Sequence, residues 1–359
     1  MRQPLKLPGL VGGEVETWAC EMSNGILVPR DVTPLIDTLK QANGIPILGT
    51  LTRESGIGSI EFASTPVTTI WELVDQVYHF QRRCTEEGID VRYTCAMPYG
   101  VHEQPDTLQV SGSKSRFAAI VEASKRETAK LGRPDDWRLL LQQNNYAATH
   151  LHRSFDGMRI ARHAVDIRLI YAANVMRFVA PRVARILCDK HNVDNRGHLQ
   201  IFKGWGDPRR FAQPDVWHRS FAHMQDWYAQ IPRFICSIDG DQEKGQWQVD
   251  LERPTIWARD DLGDVGFWHL CRIRTKQGTL EFRLLPAMSP EHLRSALTDL
   301  DDFVCFLVSI ASAEGCNVES VEAFKKTDDW KKITDFPIGG AAKIPANYDQ
   351  LAWTADFMH

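Results

Sequence analysis

The chain has 359 residues, of which 25% are charged and 43% apolar, an ordinary balance for a soluble globular protein with length to spare for a large core. Its formal net charge of −4 gives no electrostatic case for nucleic acid or an anionic membrane, so any phosphate site must be built locally from placed Arg, Lys or metal. The eight cysteines (20, 84, 95, 188, 236, 271, 305 and 316) contain no CxxC pair, and the N-terminal MRQPLKLPGLVGGE has no signal-peptide core. With no apolar run near the roughly 18 residues that span a bilayer, the expectation is a reduced, cytoplasmic protein.

Taken in chain order, the first third alternates short strands with helices. A strand over Glu14–Glu21 precedes a turn at Ser23-Asn24-Gly25, and a helix over Thr33–Ala42 stops at Asn43-Gly44. Leu48–Leu51 and Ser59–Ala63 read as strands around Gly56-Ile57-Gly58. A helix from Pro66 through Trp71, Leu73, Val74 and Val77 ends at Gly88, followed by a strand over Val91–Met97 and a helix over Ser115–Leu131. The longest helical pattern covers Gly157–Cys188, with Pro181 expected to kink or split it. The Gly-, Arg- and Trp-rich stretch His191–Trp217 reads as a functional loop, since Trp205, Phe211 and Trp217 argue against disorder. Strands return at Trp247–Leu251, Val265–Arg274 and Thr279–Leu285. Ser289-Pro290-Glu291 then opens a helix with an N-cap Ser and Pro in the first turn. The segment after Glu314 is polar and Lys/Asp-rich, and no repeat or linker divides the chain, so one domain over 1–359 is expected.

Four separated segments put acidic or imidazole groups on strand faces. Glu14 and Glu16 are i, i+2 neighbours about 7 Å apart along one face. Ile60-Glu61-Phe62 adds a third carboxylate, and His150-Leu151-His152 presents two imidazoles by the same alternation. In Thr279-Leu280-Glu281-Phe282-Arg283 the carboxylate and guanidinium share a face opposite Leu280 and Phe282. That pair reads either as a surface ion pair of little worth or as a metal ligand beside a phosphate clamp. Gathering so many carboxylates on half-buried strands calls for a cation, because buried unpaired charge is costly. Carboxylates with imidazole and no thiolate suit Mg²⁺ or Mn²⁺ better than Zn²⁺.

These strings resemble the glutamine synthetase and glutamate–cysteine ligase superfamily, closest to the carboxylate–amine ligases of the second glutamate–cysteine ligase family. The matching strings are GGEVE (pattern Gly-x-Glu-x-Glu), SIEFASTP (x-x-Glu-x-x-Thr-x-Pro), ATHLHRSFD (His-x-His before a helix) and WHLCRIRTKQGTLEFRLLP. In the last, Arg272 stands seven residues before the Thr of the Thr-x-Glu-x-Arg strand, as in the family. The resemblance covers about residues 10–300 and leaves 315–359 as a C-terminal extension. It implies an α+β fold with a curved, mostly antiparallel sheet lined by metal-binding carboxylates and helices on its outer face.

The resemblance implies that Glu14, Glu16, Glu61, His150 and Glu281 share two or three Mg²⁺ ions, with Glu54 as a further acidic ligand seven residues before Glu61. His152 would lie against ATP phosphates, and Arg272 and Arg283 would hold the transferring phosphoryl group or a substrate carboxylate. The implied activity is an ATP-dependent ligase joining small-molecule carboxylate and amine through an acyl phosphate, with the γ-carboxyl of glutamate or a related acid as donor. Folds of this group often associate, so a homo-oligomer is among the expectations.

The stretch HLQIFKGWGDPRRFAQPDVWHRSF departs from the family. Lys203, Arg209 and Arg210 there are either nucleotide or substrate contacts or a solvated basic loop. Leu284-Leu285-Pro286-Ala287 replaces the usual Asp after the Glu-x-Arg strand, which points to an acceptor pocket unlike that of cysteine-using members. Arg153 points away from the histidines and reads as structural, the cysteines as core residues, and Trp18 and Trp268 as core aromatics with adenine stacking the alternative. Competing functions are a phosphotransferase of the guanidino-kinase type, a Zn²⁺ hydrolase using the His-x-His, and a non-catalytic binding or scaffold protein on a ligase fold.

Overall fold

The computed structural model describes residues 7–24, 26–41, 47–53, 58–94, 147–161, 164–193, 237–241, 246–250, 270–274 and 277–349. The expected helix over 115–131, most of the 191–217 loop with Lys203, Arg209 and Arg210, and also Glu54 and Trp268, lie outside them.

The main sheet is built from β1 (Val11–Ser23), β3 (Gly49–Arg53), β4 (Ser59–Ser64), β6 (Ala148–Arg153), β11 (Cys271–Arg274) and β12 (Thr279–Pro286) in the order β11-β12-β6-β1-β4-β3. The short strands β2 (Ile26–Pro29) and β5 (Asp90–Arg92) also pair with β1. Every ladder among the described residues is antiparallel, and the sheet is open. Small two-stranded ribbons, β7 (Ile160–Ala161) with β8 (Ala164–Val165) and β9 (Ser237–Asp241) with β10 (Gln246–Asp250), stand apart from it. With the helices below, this makes an α+β architecture.

Period-2 alternation sets the two faces of the sheet. Val11, Val15, Leu51, Ile60, Phe62, Leu151, Ile273, Leu280 and Phe282 are all buried and point to one side. There they pack under α2 (Ile70–Glu86), α3 (Ile167–Lys190) and α4 (Pro290–Ile310), with α4 lying against both of its neighbours. The other side carries Glu14, Glu16, Glu61, His150, His152, Arg272, Arg274, Glu281 and Arg283. At fully buried positions a large apolar side chain contributes about 1.5–3 kcal/mol, so this alternation fixes which face becomes the core.

Two helix starts differ from the sequence expectation. The chain stays extended past Pro66, because Val67 exchanges two 2.8 Å backbone hydrogen bonds with Val11. Helix α2 begins only after Thr69, whose hydroxyl accepts from Glu72 N–H while the Glu72 carboxylate accepts from Thr69 N–H, a capping box. Helix α3 starts at Ile167, ten residues later than expected, because Ile160–Ala161 pairs with Ala164–Val165 as β7 and β8 and Asp166 then caps the helix through Arg168 N–H at 2.9 Å. It runs through Pro181 unbroken, and nearly all of its side chains from Leu169 to Cys188 are buried, as expected of a helix enclosed on all sides. Ser289 occupies the N-cap of α4 but makes no side-chain cap bond, leaving Pro290 at the first turn as the local signal.

The segment after Glu314 is part of the core. Short helices α5 (Ala313–Cys316), α6 (Val321–Phe324) and α7 (Asp328–Asp335) are capped in turn by Ser312, Ser320 and Thr327. Trp330 and Tyr348 close on Phe178 of α3 at ring-centroid distances of 5.7 and 5.2 Å. Far from a polar extension, residues 315–349 cover the back of α3. The six described cysteines are buried and form no disulfide, and burial pushes the Cys84 thiol up to about 12 and raises Cys271, Cys305 and Cys316, which argues against these four as activated nucleophiles.

Candidate active site on the polar sheet face

Strand register brings the polar residues into neighbouring rows. Arg272 on β11 lies opposite Glu281 on β12, Glu281 opposite His152 on β6, His150 opposite Glu14 on β1, and Glu16 opposite Glu61 on β4. Gly278 adopts a left-handed φ of 69° in the turn between β11 and β12, which places Thr279 opposite Arg274. A register shift between Phe282 and Leu285 marks a bulge in β12. It spans Arg283 and Leu284, the kind of irregularity that re-aims a side chain.

Glu281 is fully buried and sits at the centre of three guanidinium groups. Its Oε1 accepts from Arg272 Nη2 at 2.9 Å and from Arg283 Nη1 at 2.6 Å. Its Oε2 accepts from Arg274 Nη1 at 2.7 Å and from Arg272 Nε. Four donors on two oxygens use the whole acceptor capacity of a carboxylate. Burial pushes its pKa up, but Arg272, Arg283, His152 and Arg274 outweigh this and hold it well below the carboxylate range. Burial lowers Arg272 to about 10, still protonated at neutral pH.

Glu14 is held by imidazoles. Its Oε2 lies 2.8 Å from His150 Nδ1 and its Oε1 3.2 Å from His152 Nε2. Burial raises its pKa, yet the hydrogen bonds from His150 and His152 prevail and keep it ionised far into acid. His150 is itself fully enclosed, and desolvation with the nearby Arg283 charge lowers it to about 4, so its ring is neutral at pH 7. The same Nδ1 lies 3.2 Å from Arg283 Nη1. A neutral nitrogen cannot both donate to Glu14 and accept from Arg283. The shorter contact, to Glu14, favours the first arrangement.

Glu16 accepts from the Ala148 backbone N–H at 2.7 Å and has its other oxygen 3.9 Å from His150 Nε2. Glu61 accepts from Thr52 Oγ1 at 3.0 Å. These two carboxylates are register partners, one row from Glu14 and two rows from Glu281.

The expected argument for a cation is therefore only partly met by metal. Against the four carboxylates Glu14, Glu16, Glu61 and Glu281 stand three guanidiniums, Arg272, Arg274 and Arg283, which all pair with Glu281 and offset part of the charge from the β11–β12 side. The donor atoms nonetheless fit a hard divalent ion. Glu14, His152 and Glu281 each offer one ligand atom within 4.8 Å of the others. Two ligands opposite each other at about 2.1 Å bonds would be about 4.2 Å apart, so an ion needs only a small inward shift. His150 lies beside this trio, with Nδ1 3.9 Å from Glu281 Oε1.

Of the residues singled out from the sequence, Glu14, Glu16, Glu61, His150, His152, Arg272, Glu281 and Arg283 share this face, and Arg153 does not. Its guanidinium pairs with Asp301 at 2.8 Å on the far side of the sheet. Trp18 is fully buried, its indole N–H donating to Thr94 O at 3.1 Å, and has no open face for a base. Arg274 and Thr279 belong to the site and were not singled out. The alternation Cys271-Arg272-Ile273-Arg274 and the i, i+2 relation of Thr279 to Glu281 are the signals that place them there.

No protein-family model and no curated protein matches the chain. Among solved structures, a bifunctional glutathione synthetase from Pasteurella multocida aligns with a TM-score of 0.44 at 11% identity, covering 84% of this chain and 38% of that one. A structure described as a novel glutamine synthase homolog aligns with a TM-score of 0.37 at 13% identity, covering 91% of this chain and 61% of that one. The chain thus spans less than two thirds of either protein, and likenesses this loose carry no argument about its chemistry. Among the described residues no helix is long and apolar enough to cross a membrane.

Proposed function

We propose that the chain is an ATP- and Mg²⁺-dependent ligase that activates a carboxylate as an acyl phosphate and joins it to an amine. The γ-carboxyl of glutamate or a related acid is the donor that best fits the motifs. The observation that carries this reading is the single polar sheet face on which four carboxylates, two imidazoles and three guanidiniums converge, opposite a face made mainly of apolar core.

The reaction brings two anions together, so its main need is positive charge fixed in advance. Arg272, Arg274 and Arg283 are preorganised by Glu281 and by the sheet itself, and their planar forks suit a carboxylate or phosphoryl group. Glu14, Glu16, Glu61, Glu281 and a histidine of the His150–His152 pair would hold Mg²⁺. A bound Mg²⁺ supplies charge that screens phosphate oxygens and the acid from each other.

The test is an ADP-release screen of carboxylates against amines, with hydroxylamine as a trap for the acyl phosphate. Glu14→Gln is the control, checked for unchanged folding by circular dichroism. ADP release that needs both substrates and is lost in the variant is the expected result; none from a broad panel sinks the proposal. A second reading is a ligand-binding or scaffold protein, favoured by the saturation of Glu281 with internal arginine partners. Calorimetry that finds neither ATP nor Mg²⁺ bound would make it the leading one. A phosphotransferase would instead leave a stable phosphorylated product and no amide.

A further inference from the structure

We propose that His152 is a metal ligand and that Thr279 is the positioning residue that makes it one. This rests on the metal-binding part of the function proposed above and changes the role the sequence motif gives to His152, which was contact with phosphate.

His152 Nδ1 lies 3.1 Å from Thr279 Oγ1, across the β6–β12 ladder. The opposite ring nitrogen, Nε2, is buried and has no aligned hydrogen-bond partner, although Glu14 Oε1 is 3.2 Å away. Two neutral tautomers are available. If Nε2 carried the hydrogen, its one near acceptor would be Glu14 Oε1, 3.2 Å away and poorly aligned. If Nδ1 carries it, the hydrogen goes to Thr279 Oγ1 and the Nε2 lone pair faces the Glu14 and Glu281 carboxylates.

The second arrangement leaves no buried donor unpaired. It also leaves a lone pair on the side of two anions, which is favourable only with a cation between them. A threonine hydroxyl on one imidazole nitrogen and an open lone pair on the other is the arrangement by which a second side chain fixes a histidine for a metal. His150 is differently committed, since its Nδ1 is spent on Glu14 or Arg283. In this scheme His150 holds the Glu14 carboxylate in place, and Glu14 Oε1 and His152 Nε2 are the least encumbered ligand atoms. Glu281 joins the same ion only by giving up one of its guanidinium hydrogen bonds.

The experiment is Mn²⁺ binding to the full chain, followed by electron paramagnetic resonance of the free ion, with no nucleotide, acid or amine present. A negative ADP-release screen therefore leaves it intact. Thr279→Val keeps the shape and removes the oxygen, and is expected to weaken Mn²⁺ binding about 10-fold or more. Thr279→Ser restores the hydroxyl and should bind within a few-fold of the wild type. In the wild-type protein itself, ¹⁵N imidazole spectra should show His152 protonated at Nδ1 and bare at Nε2, with the Nε2 signal moving when Mg²⁺ is added. Wild-type affinity in folded Thr279→Val, an Nε2-protonated His152, or a doubly protonated ring indifferent to Mg²⁺ would each overturn the assignment. The spectra need no variant, so a misfolded Thr279→Val leaves the inference open to refutation.

Discussion

Glu281 and Arg283, two residues apart on β12, are joined by a 2.6 Å ion pair, and Arg272 and Arg274 on the neighbouring strand close on the same carboxylate. Removing the charge by Glu281→Gln takes away the carboxylate that three buried guanidiniums share. Breaking a buried pair from one side costs about 3–5 kcal/mol, and that loss is expected in urea unfolding. Because the vacated arginines form an anion cradle, sulfate should raise the melting temperature of the variant more than that of the wild type. Equal responses to sulfate would show that the three arginines do not act together.

The buried His150 makes the apoprotein sensitive to mild acid. Its folded pKa is lowered, to about 4, whereas an unfolded histidine titrates near 6.5. The unfolded state therefore binds a proton that the folded state refuses between those values, and stability falls as pH drops through that window. The full effect is on the order of 3 kcal/mol. Glu14 acts in the same direction at lower pH, since its depressed folded pKa gives stability that is lost once the unfolded carboxylate protonates and the pH continues to fall. Denaturant midpoints measured from pH 7 to 4 should decline steadily, and His150→Gln should flatten the upper part of the curve. A variant with the wild-type slope would assign the acid sensitivity elsewhere.

How much of this was legible in the sequence depends on which periodicity carried it. Glu14, Glu16, His150, His152, Glu281 and Arg283 could be put on common faces because a strand has a strict period of two and apolar neighbours mark the opposite side. The ladder order was not legible. Nothing local says that His150 lies opposite Glu14 or Glu281 opposite His152, since antiparallel partners 136 and 129 residues apart meet only through the fold. Charge balance was misjudged for the same reason. The carboxylates called for a cation, and that Arg274 joins Arg272 and Arg283 in supplying one on Glu281 follows from laying β11 beside β12. The C-terminal helices are each about two turns or less, too short for amphipathic periodicity to stand out. Their Ser312, Ser320 and Thr327 caps were the available signal.

Arg153 tests the sidedness of β6, because it directly follows His152 and points the other way. Its guanidinium pairs with Asp301 and donates to Leu7 O and Ser154 O, all away from the polar face. Arg153→Met removes a buried cation while leaving Asp301 partly buried without it, at a cost of about 3 kcal/mol or more. Mn²⁺ affinity, measured well below the melting temperature, should be unchanged. A large loss of metal binding in a folded Arg153→Met protein would contradict the face assignment.

Trp330 tests whether the C-terminal segment is structural or appended. It is 3% exposed, its ring meets Phe178 at 5.7 Å and Phe324 at 5.8 Å, and its indole N–H donates to Ala346 O at 3.0 Å. Phe178 belongs to α3, the helix that backs β11 and β12, so the tryptophan supports the strands bearing Arg272 and Glu281 through one intervening layer. Truncation to alanine should cost about 3–5 kcal/mol from lost burial and the cavity left behind. If the segment were an independent extension, Trp330→Ala would leave the main unfolding transition in place and add an early one. Because the ring is packed into the same core as the sheet, a single transition with a lowered midpoint is expected, coincident by tryptophan fluorescence and far-ultraviolet circular dichroism. Two separated transitions would detach residues 315–349 from the core and with them the support they give to the β11–β12 side of the site.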